Sequence, residues 1–200
     1  MRTNVTVDVQ MQQQLVSLSQ WTDTEHRFVL CANPEIATMT AGDFVEPEVR
    51  HNPRASFPAE PDAQWDRIQA NYFMGYALWN HLTTPYLLSY PGVRTIEMEP
   101  WRDGEALWRR LSVHFPPGIA THSPRQEFYF DAAGLLRRLD YNVEVSADGP
   151  AAHYVDVDGL EFPTRRWVYP RPPDHRPEQD AFAGPNGTVI DLTIGNITIR

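Results

Sequence analysis

Lysine is missing altogether: all 17 basic residues are arginine. Whole mechanisms go with it. A Schiff base on a lysine amine, lysine-bound pyridoxal phosphate and the lysine of a Walker phosphate loop are excluded. Cysteine is nearly missing too. Cys31 stands alone, so neither an internal disulfide nor a multi-cysteine zinc site can form. Its apolar neighbourhood, Phe28 to Ala32, predicts a buried, inert thiol, and a lone cysteine fits a reducing compartment. Long hydrophobic runs are absent as well. The longest, Tyr72 to Trp79, falls far short of the roughly 20 residues of a membrane span, so membrane insertion is not expected. Met1 to Gln20 has no apolar run ahead of a small-residue cleavage site, which predicts no signal peptide and a cytoplasmic protein. Positive charge is in deficit, with 26 acidic residues and a net charge of -9. An acidic surface repels phosphate backbones and anionic lipids, so neither nucleic acid nor a membrane surface is the expected partner. The chain also lacks G-x-S-x-G, H-E-x-x-H, G-x-G-x-x-G and a calcium loop, and no cofactor or metal is implied.

What is present is globular. A hydrophobic fraction of 42% and a charged fraction of 22% over 200 residues predict one domain spanning residues 1–200 with a sizeable core. The expected class is α+β, mainly β. An antiparallel meander would roll into a half-barrel or open barrel, with one long apolar helix packed across it. Residues 1–20 read as a mobile arm, with a short helix over Met11 to Leu18. Strands are expected over Glu25 to Leu30, Ile36 to Thr40 and Phe44 to Arg50, the last two joined at Ala41-Gly42-Asp43. Pro53, Pro58 and Pro61 mark a loop. A helix follows, capped by Asp62 and stopped by Pro85. In it Trp65, Ile68, Tyr72, Tyr76, Trp79 and Leu82 recur at three- and four-residue steps.

Beyond Pro91-Gly92 the period becomes two. Hairpins are expected for Arg94 to Trp101 with Glu105 to Phe115, and for Arg125 to Asp131 with Leu135 to Val145. Two more follow, Ala151 to Val157 with Leu160 to Tyr169, and Thr188 to Thr193 with Asn196 to Ile199. Asp103-Gly104 and Asp158-Gly159 are standard turn signals. Residues 170–187, proline-rich and aperiodic, read as a surface loop or flap.

Three features carry candidate chemistry. Arg109-Arg110, Arg137-Arg138 and Arg165-Arg166 each fall in an expected strand, where neighbours face opposite ways. One guanidinium of each pair would face inward. Arg138 and Arg165 are the candidates to hold an oxyanion, unless the arginines pair with Glu127, Asp140 and Glu144. His114, His122 and His153 lie in or beside the sheet. His153 is a candidate general acid or base, oriented by Asp140 or Tyr154, with His122 a second catalytic candidate and His114 a ligand contact. Trp65, Tyr72, Tyr76 and Trp79 would fill the core or wall a pocket for an apolar ligand.

The run Glu127-Phe-Tyr-Phe-Asp-Ala-Ala-Gly-Leu-Leu-Arg-Arg-Leu-Asp-Tyr141 and the later Val157-Asp-Gly-Leu-Glu-Phe-Pro-Thr-Arg-Arg166 resemble strand pairs of the LolA/LppX-like lipoprotein-binding half-barrels. The resemblance covers Arg125 to Tyr169. It implies an antiparallel half-barrel around helices, with an apolar concave face for acyl chains. The chain departs from that family in showing no export signal and no lipid-attachment cysteine near its start.

These features give a first expectation, a small-molecule enzyme acting on an apolar carbonyl- or carboxylate-containing substrate. It would be an isomerase, lyase or cyclase using metal-free acid–base chemistry. The alternative is a non-catalytic binder of a lipid or other hydrophobic ligand in a half-barrel cavity. A structural or interaction module is the third.

Overall fold

A computed structural model describes residues 5–19, 26–32, 35–41, 46–60, 63–145, 152–159, 163–170 and 190–196. The described residues are mainly β, with antiparallel sheets and one α-helix among them. It divides into two compact units. Unit 1 comprises Met1–Leu87, Pro116–His122 and Val145–Asp148; unit 2 comprises Leu88–Phe115, Ser123–Glu144 and Gly149–Arg200.

Unit 1 holds a five-stranded meander: β1 (Thr6–Gln10), β2 (Leu15–Ser19), β3 (His26–Ala32), β4 (Glu35–Ala41) and β5 (Glu48–His51), in that spatial order. The N-terminal segment is therefore a hairpin rather than a helix over Met11 to Leu18. Glutamine favours a helix locally, but Val16 and Leu18 pair with Leu30 and Phe28, and all four are buried. Tertiary burial outweighs weak local propensity. The turn expected at Gly42-Asp43 lies outside the described residues, as does Asp62. Helix α1 (Arg67–Thr83) instead starts at an Asp66 capping box, in which Asp66 accepts from the Gln69 N–H and the Gln69 side chain accepts from the Asp66 N–H. Trp65 thus precedes the helix.

The helix packs on β1–β4. Ile68, Tyr72, Tyr76 and Trp79 are buried there. Gly75 permits close approach, since a Cβ at that position would lie 3.0 Å from the Phe28 ring. The helix has 17 residues and is not uniformly apolar. Buried Asn71, Asn80 and Thr83 return their polar atoms to the backbone carbonyls of Arg67, Tyr76 and Trp79. The segment Pro116–His122 is clasped to this unit. Gln14 donates to the Ala120 carbonyl and accepts from its N–H, both at 2.7 Å. Arg54 donates to the carbonyls of Thr121 and His122.

Unit 2 is a seven-stranded meander: β6 (Arg94–Asp103), β7 (Ala106–His114), β8 (Arg125–Phe130), β9 (Leu136–Asn142), β10 (Ala152–Gly159), β11 (Pro163–Pro170) and β12 (Ile190–Thr193). Gly104 and Gly134 take positive φ in the first two hairpin turns, where glycine is free of Cβ strain. Residues 171–187 and 197–199, expected as flap and last strand, lie outside the described residues. The expected single rolled sheet is thus replaced by two open sheets among the described residues, neither closed into a barrel. After β5 the chain leaves through Pro53 and Pro58 into α1, so the hairpin ladder cannot continue into β6. No helix of the described residues is long and apolar enough to cross a membrane.

Candidate active site

Strand alternation gives unit 2 two contrasting sets of residues. Across β7–β12, Leu111, Phe128, Leu139, Val155, Val168 and Ile190 stand in register. One residue over, the row reads Arg110, Tyr129, Arg138, Asp156, Trp167 and Asp191. Cross-strand partners share a face and sequence neighbours do not. In the first row Phe128, Leu139 and Val168 are buried and Leu111 is half-buried, whereas the second row carries Arg110, Tyr129 and Arg138.

At its centre Arg138 and Asp140, two apart on β9, form a bidentate pair: Nε to Oδ1 at 2.7 Å and Nη2 to Oδ2 at 2.8 Å. Their side chains are only 4% and 2% exposed. The Arg138 guanidinium lies 5.0 Å from the Trp101 ring centre and 4.9 Å from that of Tyr129. Trp101 reaches this position beyond a bulge between Met98 and Trp101. Pro100 lies inside that bulge and has no N–H for the ladder.

The Tyr129 hydroxyl stands 3.0 Å from Asp140 Oδ2 and 3.1 Å from Glu127 Oε2. Arg110 closes the chain on Glu127, its Nε donating at 2.8 Å and its Nη2 also in contact. Burial, then the Asp140 charge, push the Tyr129 hydroxyl well above the usual tyrosine value. It therefore acts as a donor. A phenol has one hydrogen and two carboxylate oxygens face it, so that hydrogen is shared or alternates between them. Burial opposes the charge on Arg110, but Glu127 holds its pKa above the ordinary arginine value. Glu127 is 17% exposed, which makes it the carboxylate of this network that solvent or a ligand can reach.

The three arginine pairs each split, one member out and one in. Arg109 is exposed and pairs with Glu97 at 2.7 Å, while Arg110 and Arg138 turn to the network. Arg165 is exposed, in register with Asp158 and Thr193. Arg166 is 1% exposed and belongs to the alternate row, in register with Val157 and Leu192. Burial pulls its guanidinium down to about 9, with Tyr141 acting in the other direction. The three inward guanidinium groups therefore do not converge. Two of them, Arg110 and Arg138, bind carboxylates of the chain itself.

The other candidates divide between the two units. Tyr154 stands in register with Asp140, and His153 with Tyr141. His153 and Asp140 are thus diagonal on adjacent strands and assigned to alternate rows. The side chains of His153 and Tyr154 lie outside the described residues. His114 is half-buried at the end of β7, in register with Arg94 and Arg125. His122 belongs to unit 1, buried edge-on to Phe73 and Tyr76 at 5.2 and 5.0 Å. Tyr72, Tyr76 and Trp79 are fully buried in unit 1, and Trp79 donates to the Gln10 carbonyl. Trp65 packs on Phe57 and Phe73. No group of three or more His, Cys, Asp or Glu among the described residues is placed to hold a metal ion. Tyr129 and Trp101 escaped the sequence reading. A signal for Tyr129 existed in its place opposite Arg138 across the Asp131–Gly134 turn, whereas the bulge that delivers Trp101 leaves no trace beyond Pro100. Comparison of the chain with protein-family models, with curated proteins and with solved structures gave no match.

Proposed function

We propose that the protein is a small-molecule enzyme of acid–base type, an isomerase, lyase or cyclase acting on an apolar carbonyl- or carboxylate-containing substrate. The reacting face is the charged row of unit 2. What supports this reading is the Glu127–Tyr129–Asp140 chain, which ends in a reachable carboxylate and is backed by a buried ion pair. Glu127 is the base. When it takes a proton, the Tyr129 hydrogen turns wholly to Asp140, so no acceptor is left without a donor. Asp140 and Arg138 are positioning residues, and Trp101 offers an apolar wall beside them. Tyr154, in register with Asp140, extends the same row. We read the β6–β12 meander as the half-barrel wall implied by the resemblance of Arg125 to Tyr169, with this row on its concave side.

Proton abstraction next to a carbonyl is measurable without knowing the product. A panel of apolar keto acids and carboxylates in D2O, followed by proton NMR, is expected to show loss of a C–H signal with the intact protein. Glu127→Gln should slow that exchange about 100-fold or more. Equal exchange in both proteins would remove Glu127 from the reaction and this mechanism with it.

A further inference from the structure

The geometry points to a second recognition element on the same face, a carboxylate-binding subsite made by Arg94, His114 and Arg125. These residues stand in one register row across β6, β7 and β8, with His114 paired to both arginines. Paired residues lie about 5 Å apart, so two guanidinium forks flank one imidazole within the reach of a single carboxylate. Arg94 and Arg125 are exposed and His114 is half-buried. Among the described residues neither Arg94 nor His114 has a carboxylate partner. Arg125 is anchored by its Nε on Ser112 Oγ at 3.2 Å, and its Nη2 lies 3.8 Å from Glu127. That contact is too long for a good hydrogen bond and leaves the fork open.

Two neighbours define the ligand. Ile96, two residues from Arg94 on the same face, is 54% exposed. An exposed large aliphatic beside two arginines fits a carboxylate attached to an apolar body. Glu127 lies two residues along β8 from Arg125, about 7 Å at ordinary strand rise. A carboxylate seated on the row would put carbons two or three bonds away over Glu127. On the acid–base reading above, the subsite selects apolar carboxylic acids and sets which carbon meets the base; the binding itself does not depend on that reading.

Benzoate, acetate and inorganic phosphate, titrated separately into the full chain, test this through backbone amide NMR shifts. Benzoate is expected to move the amides of residues 94, 114 and 125, with acetate weaker for want of the Ile96 contact. Arg94→Gln with Arg125→Gln should weaken benzoate binding about tenfold or more. Should the double variant fail to fold, His114→Gln with the same readout takes its place. Phosphate binding as tightly as benzoate, or benzoate shifts that avoid the row or persist in the variant, would overturn the assignment. Glu127→Gln separates the two proposals. Benzoate binding retained in it, with equal C–H exchange in both proteins, would sink the acid–base mechanism and leave the subsite. Exchange lost in it, with no benzoate binding at the row, would do the reverse.

Discussion

Unit 1 and unit 2 bury their residues by opposite means. In unit 1 a helix lays Tyr72, Tyr76 and Trp79 on a sheet face made of Val16, Leu18, Phe28 and Leu30, and Asn71, Asn80 and Thr83 of the helix donate to nearby backbone carbonyls. In unit 2 the buried side chains include an arginine and an aspartate, the arginine beside the Trp101 and Tyr129 rings and the aspartate linked to Tyr129. Apolar burial stabilises without direction. A buried ion pair recovers its desolvation cost only when its geometry is right, and often gives no more stability than well-packed hydrophobes. A protein able to build the first kind of core does not need the second for stability. On the proposed reading, the charged row serves the reaction rather than the stability of unit 2.

Removing one partner should break this contrast most sharply. Asp140→Ala leaves the Arg138 guanidinium buried and uncompensated, at a cost of about 3–5 kcal/mol in urea unfolding. Arg138→Met with Asp140→Leu should recover most of that loss while abolishing the C–H exchange expected of the intact protein. If the double variant is no more stable than the single one, the row is structural after all. Trp79→Ala in unit 1 should cost about 3–5 kcal/mol by loss of packing, with no charged variant nearby able to restore it. Asp66→Ala removes the capping box, about 1 kcal/mol by thermal unfolding, and weakens the link to Arg50 at 2.6 Å. Arg109→Gln breaks an ion pair open to solvent, and its urea midpoint should match the parent's. A clear loss there would mean that the outer arginines matter as much as the inner ones.

Much of unit 2 could be read from its sequence, because Asp103-Gly104 and the Asp131–Gly134 stretch fix turns and the alternation between them fixes strands. The arginine pairs announced that one member would face in. Which member did so, and against what, was settled by register, and a shift of one residue exchanges the rows. Arg166 shows this directly, since it joined the apolar row and left Arg110 and Arg138 on the other. Unit 1 was harder. The run Met11 to Leu18 lacks a turn dipeptide of the Asn-Gly kind, and its pairing with β3 depends on residues well beyond it. The split into two sheets was partly legible, because Pro53, Pro58 and the helix after them separate β5 from β6, but local pattern alone does not say which strands of each run pair.

The clasp between Gln14 and Ala120 has a consequence for biosynthesis. Its two ends are 106 residues apart in the chain. At about 5–20 residues per second, the ribosome releases the first hairpin and α1 some seconds before Pro116–His122 emerges. Through that interval the bonds of Gln14 to Ala120 and of Arg54 to Thr121 and His122 cannot form, and the first unit lacks one of its segments. Its completion is timed by translation of the second, so truncation after residue 87 should yield a chain that chaperones hold rather than release.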